Sequence, residues 1–145
     1  MKQEENRNQR QGKIKVAAYG VVTKNQDEPD YETQKRYYTD KIKANPDWEI
    51  VGIFIDDKTV GTEADKRIEF NKMLELCRQN KVDMIIAESV SKFARNTLEM
   101  LQYTKELKDY GVDVYFEKQN LHTITSDGEF FATKYDHGPK MQMGL

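Results

Sequence analysis

Lys15-Val16-Ala17-Ala18-Tyr19-Gly20-Val21-Val22-Thr23-Lys24 is the stretch that decides the fold. From Val16 to Val22 it is apolar on both alternating faces, as expected of a strand buried in the middle of a parallel sheet. It closes on a hydroxyl and a cation, followed by a polar turn through Asn25, Asp27 and Pro29. Ligands of open α/β sheets sit beyond the carboxyl ends of such strands. Thr23 is therefore the first place to look for chemistry.

The rest of the chain reads outward from that strand. Asp30 is a suitable N-cap, and Tyr31, Tyr38 and Ile42 recur on one side of the helix it opens. Gln34 projects toward that same side, an unusual place for an amide. Asn45-Pro46 ends the helix. Trp48 to Ile55 reads as a second buried strand, closed by Asp56-Asp57 as a turn cap, and Lys58 to Lys66 as a polar loop around Gly61. Phe70, Met73, Leu74 and Cys77 lie at helical spacing, which makes the cysteine a core residue. Val82 to Ala87 is a third strand and Ser89 to Asn96 a loop. Asn96 or Thr97 caps a helix running to about Tyr110, with Gly111 at its C′ position. Val112 to Phe116 forms the fourth strand, and Leu121 to Thr125 is a candidate short edge strand. Strands alternating with helices predict an α/β fold, a parallel sheet covered by helices.

The last helix carries apolar residues on two sides. Met100, Tyr103, Leu107 and Tyr110 make one stripe, while Leu98 and Leu101 point the other way. A helix of this kind contacts two things, the sheet and either a partner subunit or the chain's own C-terminal segment.

Composition narrows the classes. With 145 residues, 37% hydrophobic and 33% charged, the chain fits one globular domain with a real core. A net charge of −2 gives no global case for nucleic acid, so any such case must come from a local cluster. The single cysteine excludes an internal disulfide and fits a reducing compartment. No segment has the apolar length of a membrane span, and the first 13 residues are too polar for a signal peptide. They read as a disordered leader, and the expected location is the cytoplasm.

Thr23, Asp56-Asp57 and the loop Ser89-Val90-Ser91-Lys92-Phe93-Ala94-Arg95-Asn96 should all emerge at the carboxyl edge of the sheet. The loop carries two hydroxyls and two cations and leads into a helix N-terminus. Cations beside helix amides make an anion site, and Arg67 could reach the same edge. Two readings stand at this point, a phosphate seat and a solvated basic loop. No Gly-rich phosphate loop or dinucleotide fingerprint occurs. His122 and His137 lack partners at metal-ligand spacing, so neither a metal nor a cofactor is expected.

Ala18-Tyr19-Gly20-Val21-Val22-Thr23 resembles the Tyr-X-Arg-Val-Ser opening of the serine recombinase (resolvase/invertase) catalytic domain. The Gly61 to Phe70 segment is similar to the family's Gly-Thr…Arg-X-X-Phe stretch. Ser89-Val90-Ser91-Lys92-Phe93-Ala94-Arg95-Asn96-Thr97 closely resembles the Ser-Arg-Phe-Ala-Arg-Asn-Thr signature of the large serine recombinases. Val114-Tyr115-Phe116-Glu117-Lys118-Gln119-Asn120 and Asp127-Gly128-Glu129 follow in the family's order. The resemblance implies a three-layer α/β/α fold over residues 14–129, strand order 2-1-3-4, with an antiparallel fifth strand at the edge.

It also implies a chemistry, site-specific cleavage and rejoining of DNA through a covalent phosphoserine link, with arginines stabilising the charge on phosphorus and no metal. That agrees with phosphoryl transfer in general, where positioning and cations dominate. Carried over by position, the nucleophile falls on Thr23, the active-site glutamine on Gln34, the helix-opening arginine on Arg67 and the loop pair on Lys92 and Arg95, with Ser91 beside them at the phosphate. DNA is the implied partner, and a homo-oligomer through the helix at 97–110 is the implied assembly.

Three positions depart from the pattern. Thr23 keeps the hydroxyl, but its methyl restricts χ1 and hinders in-line attack. Val21 stands where the family has its first arginine, and losing one such stabilising donor costs about 10²–10³ in rate. Lys92 is a point charge without the bidentate fork of arginine. Beyond Glu129 the family continues into a long dimerising helix, whereas Gly138-Pro139 here would stop one, so residues 130–145 read as a short tail. The expectation is a recombinase domain of weak or no activity. The alternatives are a non-catalytic relic serving protein interaction and, disfavoured by the 89–97 match, a distantly related phosphate- or nucleotide-binding domain.

Overall fold

A computed structural model of the chain describes residues 12–59 and 66–124. The expected tail at 130–145 and nearly all of the expected leader lie outside these residues. Five strands form one sheet: β1 (Ile14–Val22), β2 (Trp48–Asp57), β3 (Met84–Ala87), β4 (Asp113–Phe116) and β5 (Leu121–His122). Their order is β2-β1-β3-β4-β5. The first four are parallel, and β5 pairs antiparallel with β4. Helices α1 (Tyr31–Lys43), α2 (Ile68–Arg78), α3 (Val90–Phe93) and α4 (Thr97–Asp109) connect them.

β1 has a neighbour on each side and both faces covered, which is why its residues are apolar in both phases. Val16 and Ala18 join Met84 and Ile86 of β3 beneath Tyr38 and Ile42 of α1. Ala17, Tyr19 and Val21 face the other way, into a larger core with Ile85, Phe70 and Met73 of α2, and Met100 and Leu107 of α4. The layers are thus α1, sheet, then α2 with α4. β2 is an edge strand, and only Ile55 and Asp56 in it are buried; a strand with one neighbour and one end in solvent cannot be the fully buried element its composition suggests. A register shift between Val16 and Ala17 leaves Val51 as the extra residue, a bulge of the sort common at sheet edges.

Helix ends follow the local chemistry. Asp30 caps α1 by accepting from the Thr33 amide at 2.9 Å, Asn96 caps α4 by accepting from the Glu99 amide at 2.9 Å, and Gly111 takes the left-handed conformation at φ +80° just past α4. Three readings need correction. Tyr31 is exposed rather than packed on the sheet, since α1 meets the sheet through Tyr38 and Ile42 while Tyr31 stays at its first turn beside Lys35. Residues 90–93 form one helical turn within the expected loop. Leu101 is half-buried and packs against the larger core, which leaves Leu98 alone on the outer side. Cys77 is fully buried, and burial pushes its thiol up to about 12, so it serves as packing. Among the described residues no helix is long and apolar enough to cross a membrane.

Candidate functional site

The carboxyl end of β1 delivers Thr23 into a turn built from its own neighbours. The Thr23 hydroxyl accepts from the Asn25 amide at 3.2 Å and donates to Glu28 Oε1 at 2.7 Å. Lys92, reaching over from α3, places its ammonium 2.8 Å from that same Glu28 oxygen. One carboxylate oxygen therefore receives the hydroxyl and the cation together. Lys92, then Thr23, hold the Glu28 carboxyl below its ordinary range. A cleft of about 430 Å³ opens beside the turn, with Thr23, Asn25, Glu28 and Pro29 in its wall.

Gln34 braces this turn from below. Its amide nitrogen donates to the Val21 carbonyl at 2.9 Å and to the Pro29 carbonyl at 3.0 Å, tying the end of β1 to the start of α1. This is why an amide lies on the inner side of the helix. The brace explains Gly20 as well, because a Cβ there would collide with Gln34 Oε1. Gly20→Ala is accordingly expected to cost about 1–3 kcal/mol of stability by overpacking, whereas the same change made in Gln34→Ala, where the brace is already gone, should cost little more. Urea unfolding of the single and double variants checks this; a Gly20→Ala variant as stable as wild type would remove the brace.

The remaining cations gather around a second carboxylate. Arg95 donates to Glu99 through Nη2 at 2.8 Å, through Nε at 3.1 Å and through its backbone amide at 3.0 Å. Arg67 Nη1 lies 3.6 Å from Glu99 Oε1, too far for a hydrogen bond. Burial works to raise the Glu99 carboxyl, but the Arg95 contacts outweigh it and hold the group low. Arg67 is itself buried. Its guanidinium lies 3.7 Å over the Phe70 ring, with Tyr19 and Tyr103 further out, and Nη2 donates to the Phe93 carbonyl. Its backbone is left-handed at φ 51° and gives α2 no side-chain cap. Asp56 supplies that cap instead, accepting from the amides of Glu69 at 2.8 Å and Phe70 at 3.2 Å and from the Tyr19 hydroxyl at 2.7 Å. Asp57 is the turn residue expected of the pair, accepting from Thr59.

Through shared carboxylates the expected site residues thus form two groups, Thr23 with Lys92 on Glu28 and Arg67 with Arg95 on Glu99. Ser91 sits 3.2 Å from Ser89 through their hydroxyls. Ser89 also takes the Lys92 amide as the cap of α3. Two neighbours of the expected site residues escaped the sequence reading, Glu28 and Glu99. The Asn96-Thr97-Leu98-Glu99 start of α4, with a carboxylate three residues past the cap, was a usable signal for Glu99; nothing periodic marks Glu28. Among the described residues no three His, Cys, Asp or Glu side chains gather as metal ligands would.

A sequence model of the resolvase N-terminal domain matches residues 16–137. The chain belongs to the resolvase family. A resolvase family site-specific recombinase from Streptococcus pneumoniae is similar over 85% of this chain and 83% of its own, at 26% identity and a TM-score of 0.67. The N-terminal catalytic domain of TP901-1 integrase is similar over 85% and 92%, at 17% identity and a TM-score of 0.68. The C-terminal catalytic domain of ISC1926 TnpA, an IS607-like serine recombinase, is similar over 72% and 69%, at 19% identity and a TM-score of 0.58. No curated protein sequence matches. The five-stranded, mostly parallel sheet is the resolvase fold, and the chain is a resolvase-type serine recombinase catalytic domain.

Proposed function

We propose that this resolvase domain acts on the phosphodiester backbone of DNA, with Thr23 as the attacking hydroxyl and Lys92 as the nearest charge-stabilising group. The observation that carries the reading is the shared oxygen. Thr23 Oγ1 and Lys92 Nζ converge on one anionic atom at 2.7 and 2.8 Å, as a nucleophile and its cation would address a phosphate. Attack of Thr23 Oγ1 on phosphorus would break the bond to the DNA 3′ oxygen and leave the 5′ phosphate on threonine, and rejoining is the reverse. Arg67 and Arg95 are the other phosphate-stabilising groups in this reading, with Ser91 at the rim of the seat and Gln34 as the brace. Their pairing with Glu99 and the valine at position 21 make the activity weak. Incubation with DNA that carries a candidate crossover site, with covalent protein–DNA adducts resolved on denaturing gels, tests the reading: Thr23→Ser/Val21→Arg should form adducts where the unmodified chain forms too few to detect, and their absence from both would overturn it.

A second reading is a non-catalytic resolvase domain used for pairing. Leu98 favours it, at 64% exposure near the start of α4. An exposed leucine on a helix whose other apolar residues pack on the core fits a homo-oligomer through this helix. Sedimentation should show a wild-type dimer weakened about tenfold or more by Leu98→Glu, the scale of a contributing interface residue. A wild-type monomer would remove the face from consideration.

A further inference from the structure

We propose that Glu28 is a resident anion in the phosphate seat of this domain and that a phosphodiester must displace it to reach Thr23 and Lys92. The inference rests on the reading of Thr23 and Lys92 as phosphate-contacting groups and concerns how that site is regulated.

Glu28 engages both of those groups through one oxygen. Its carboxylate therefore stands where a phosphate oxygen would have to stand, and it cancels the charge that would attract one. While the contact lasts, the hydroxyl donates to Glu28 and is unavailable to a ligand on that side. The carboxylate is also placed to leave. Residues 24–27 between it and Thr23 are exposed, and the turn is held by short local bonds, from the Glu28 amide to the Asn25 carbonyl at 3.0 Å, from the Asp27 amide to Asn25 Oδ1 at 2.9 Å and from the Asn25 amide to the Thr23 hydroxyl at 3.2 Å. The cleft beside it gives an incoming group space. The hold is modest as well. The Lys92 and Glu28 side chains keep 22% and 33% of their exposure, and pairs this open to water shift an equilibrium by no more than about fivefold. A latch of that strength yields to a polyanion and still screens out weak anions. Lys118, which also acts on Glu28 from a distance, is itself paired with Glu88 at 3.3 Å.

The test titrates the chain with dimethyl phosphate, a minimal phosphodiester, and follows the Thr23 methyl signal by NMR. Thr23→Ser assigns that signal by removing it. Glu28→Gln is expected to bind about fivefold more tightly than wild type, and Glu28→Asp to fall between them. The gain should vanish in Glu28→Gln/Lys92→Met. Glu49→Gln, which removes an equal charge at the far end of the sheet, should gain nothing. Unchanged binding in Glu28→Gln, with Lys92→Met still weakening it, would overturn the latch and leave the phosphate seat standing. Weaker binding in Glu28→Gln, or an equal gain in Glu49→Gln, would overturn the latch too. Wild-type binding that ignores Lys92→Met would overturn both the latch and the reading beneath it.

Discussion

Replacing Phe70 with alanine is expected to remove about 3–5 kcal/mol of folding stability, the range for truncating a buried aromatic ring. Phe70 is fully buried and is the hub of the larger core. It meets Tyr19, Phe93 and Tyr103 edge-on, with ring centroids 5.0 to 5.2 Å apart. Such pairs add about 0.5–1.5 kcal/mol each beyond the area they bury. The ring is also the floor on which the Arg67 guanidinium rests. Its loss leaves a buried cation with less to lie against, so the cost should sit at the upper end of the range. Denaturant unfolding followed by tryptophan fluorescence from Trp48 measures it. A loss below about 1 kcal/mol would mean that this ring does not organise the core.

Thr23→Ser/Val21→Arg is expected to raise covalent adduct formation from undetectable to measurable, by about 10²–10³-fold for the restored cation. Either change alone should do little, because hydroxyl and cation act as a unit. The structure adds a cost. Val21 is 6% exposed and packs in the larger core. Its partner across β2 is Asp56, whose carboxylate is already taken by Tyr19 and by the cap of α2. An arginine at 21 must pass the end of the strand or compete for Asp56, at about 1–3 kcal/mol of overpacking. Val21→Met brings length without charge, so it should share the cost and none of the gain. Adducts from Thr23→Ser/Val21→Met as abundant as from the arginine variant would defeat the argument, and robust adducts from the unmodified chain would defeat its premise.

Much of the architecture was legible because it rests on local rules. β1 declared itself by being apolar in both phases, α2 by Phe70, Met73, Leu74 and Cys77, and α4 by its Asn96 cap and Gly111 stop. Gln34 was legible as an anomaly, an amide on an apolar side, and the brace on Val21 and Pro29 accounts for it. What stayed hidden depended on partners distant in sequence. The partial exposure of β2 was hidden from its composition, although the order 2-1-3-4 implied by the resemblance had already put it at the edge. Arg67 could be read as a cation near the sheet edge, but its inward turn depends on Phe70, Tyr103 and Glu99 arriving around it. Glu28 drew no reading at all, because Lys92, its partner, lies 64 positions away.

The central place of β1 also sets a timetable for the newborn chain. β1 is made first, yet the strand on its inner side, β3, begins only at Met84. At synthesis rates of about 5–20 residues per second, that strand follows β1 by roughly 3–12 s. Through that interval β1 can pair with β2 alone, and its other edge, from Val16 to Tyr19, offers unmet amides and carbonyls to any passing strand. The strand that leads into Thr23 is thus also the one most in need of shelter on the ribosome. Aggregation of this protein during synthesis should begin there and stop once residue 87 has emerged.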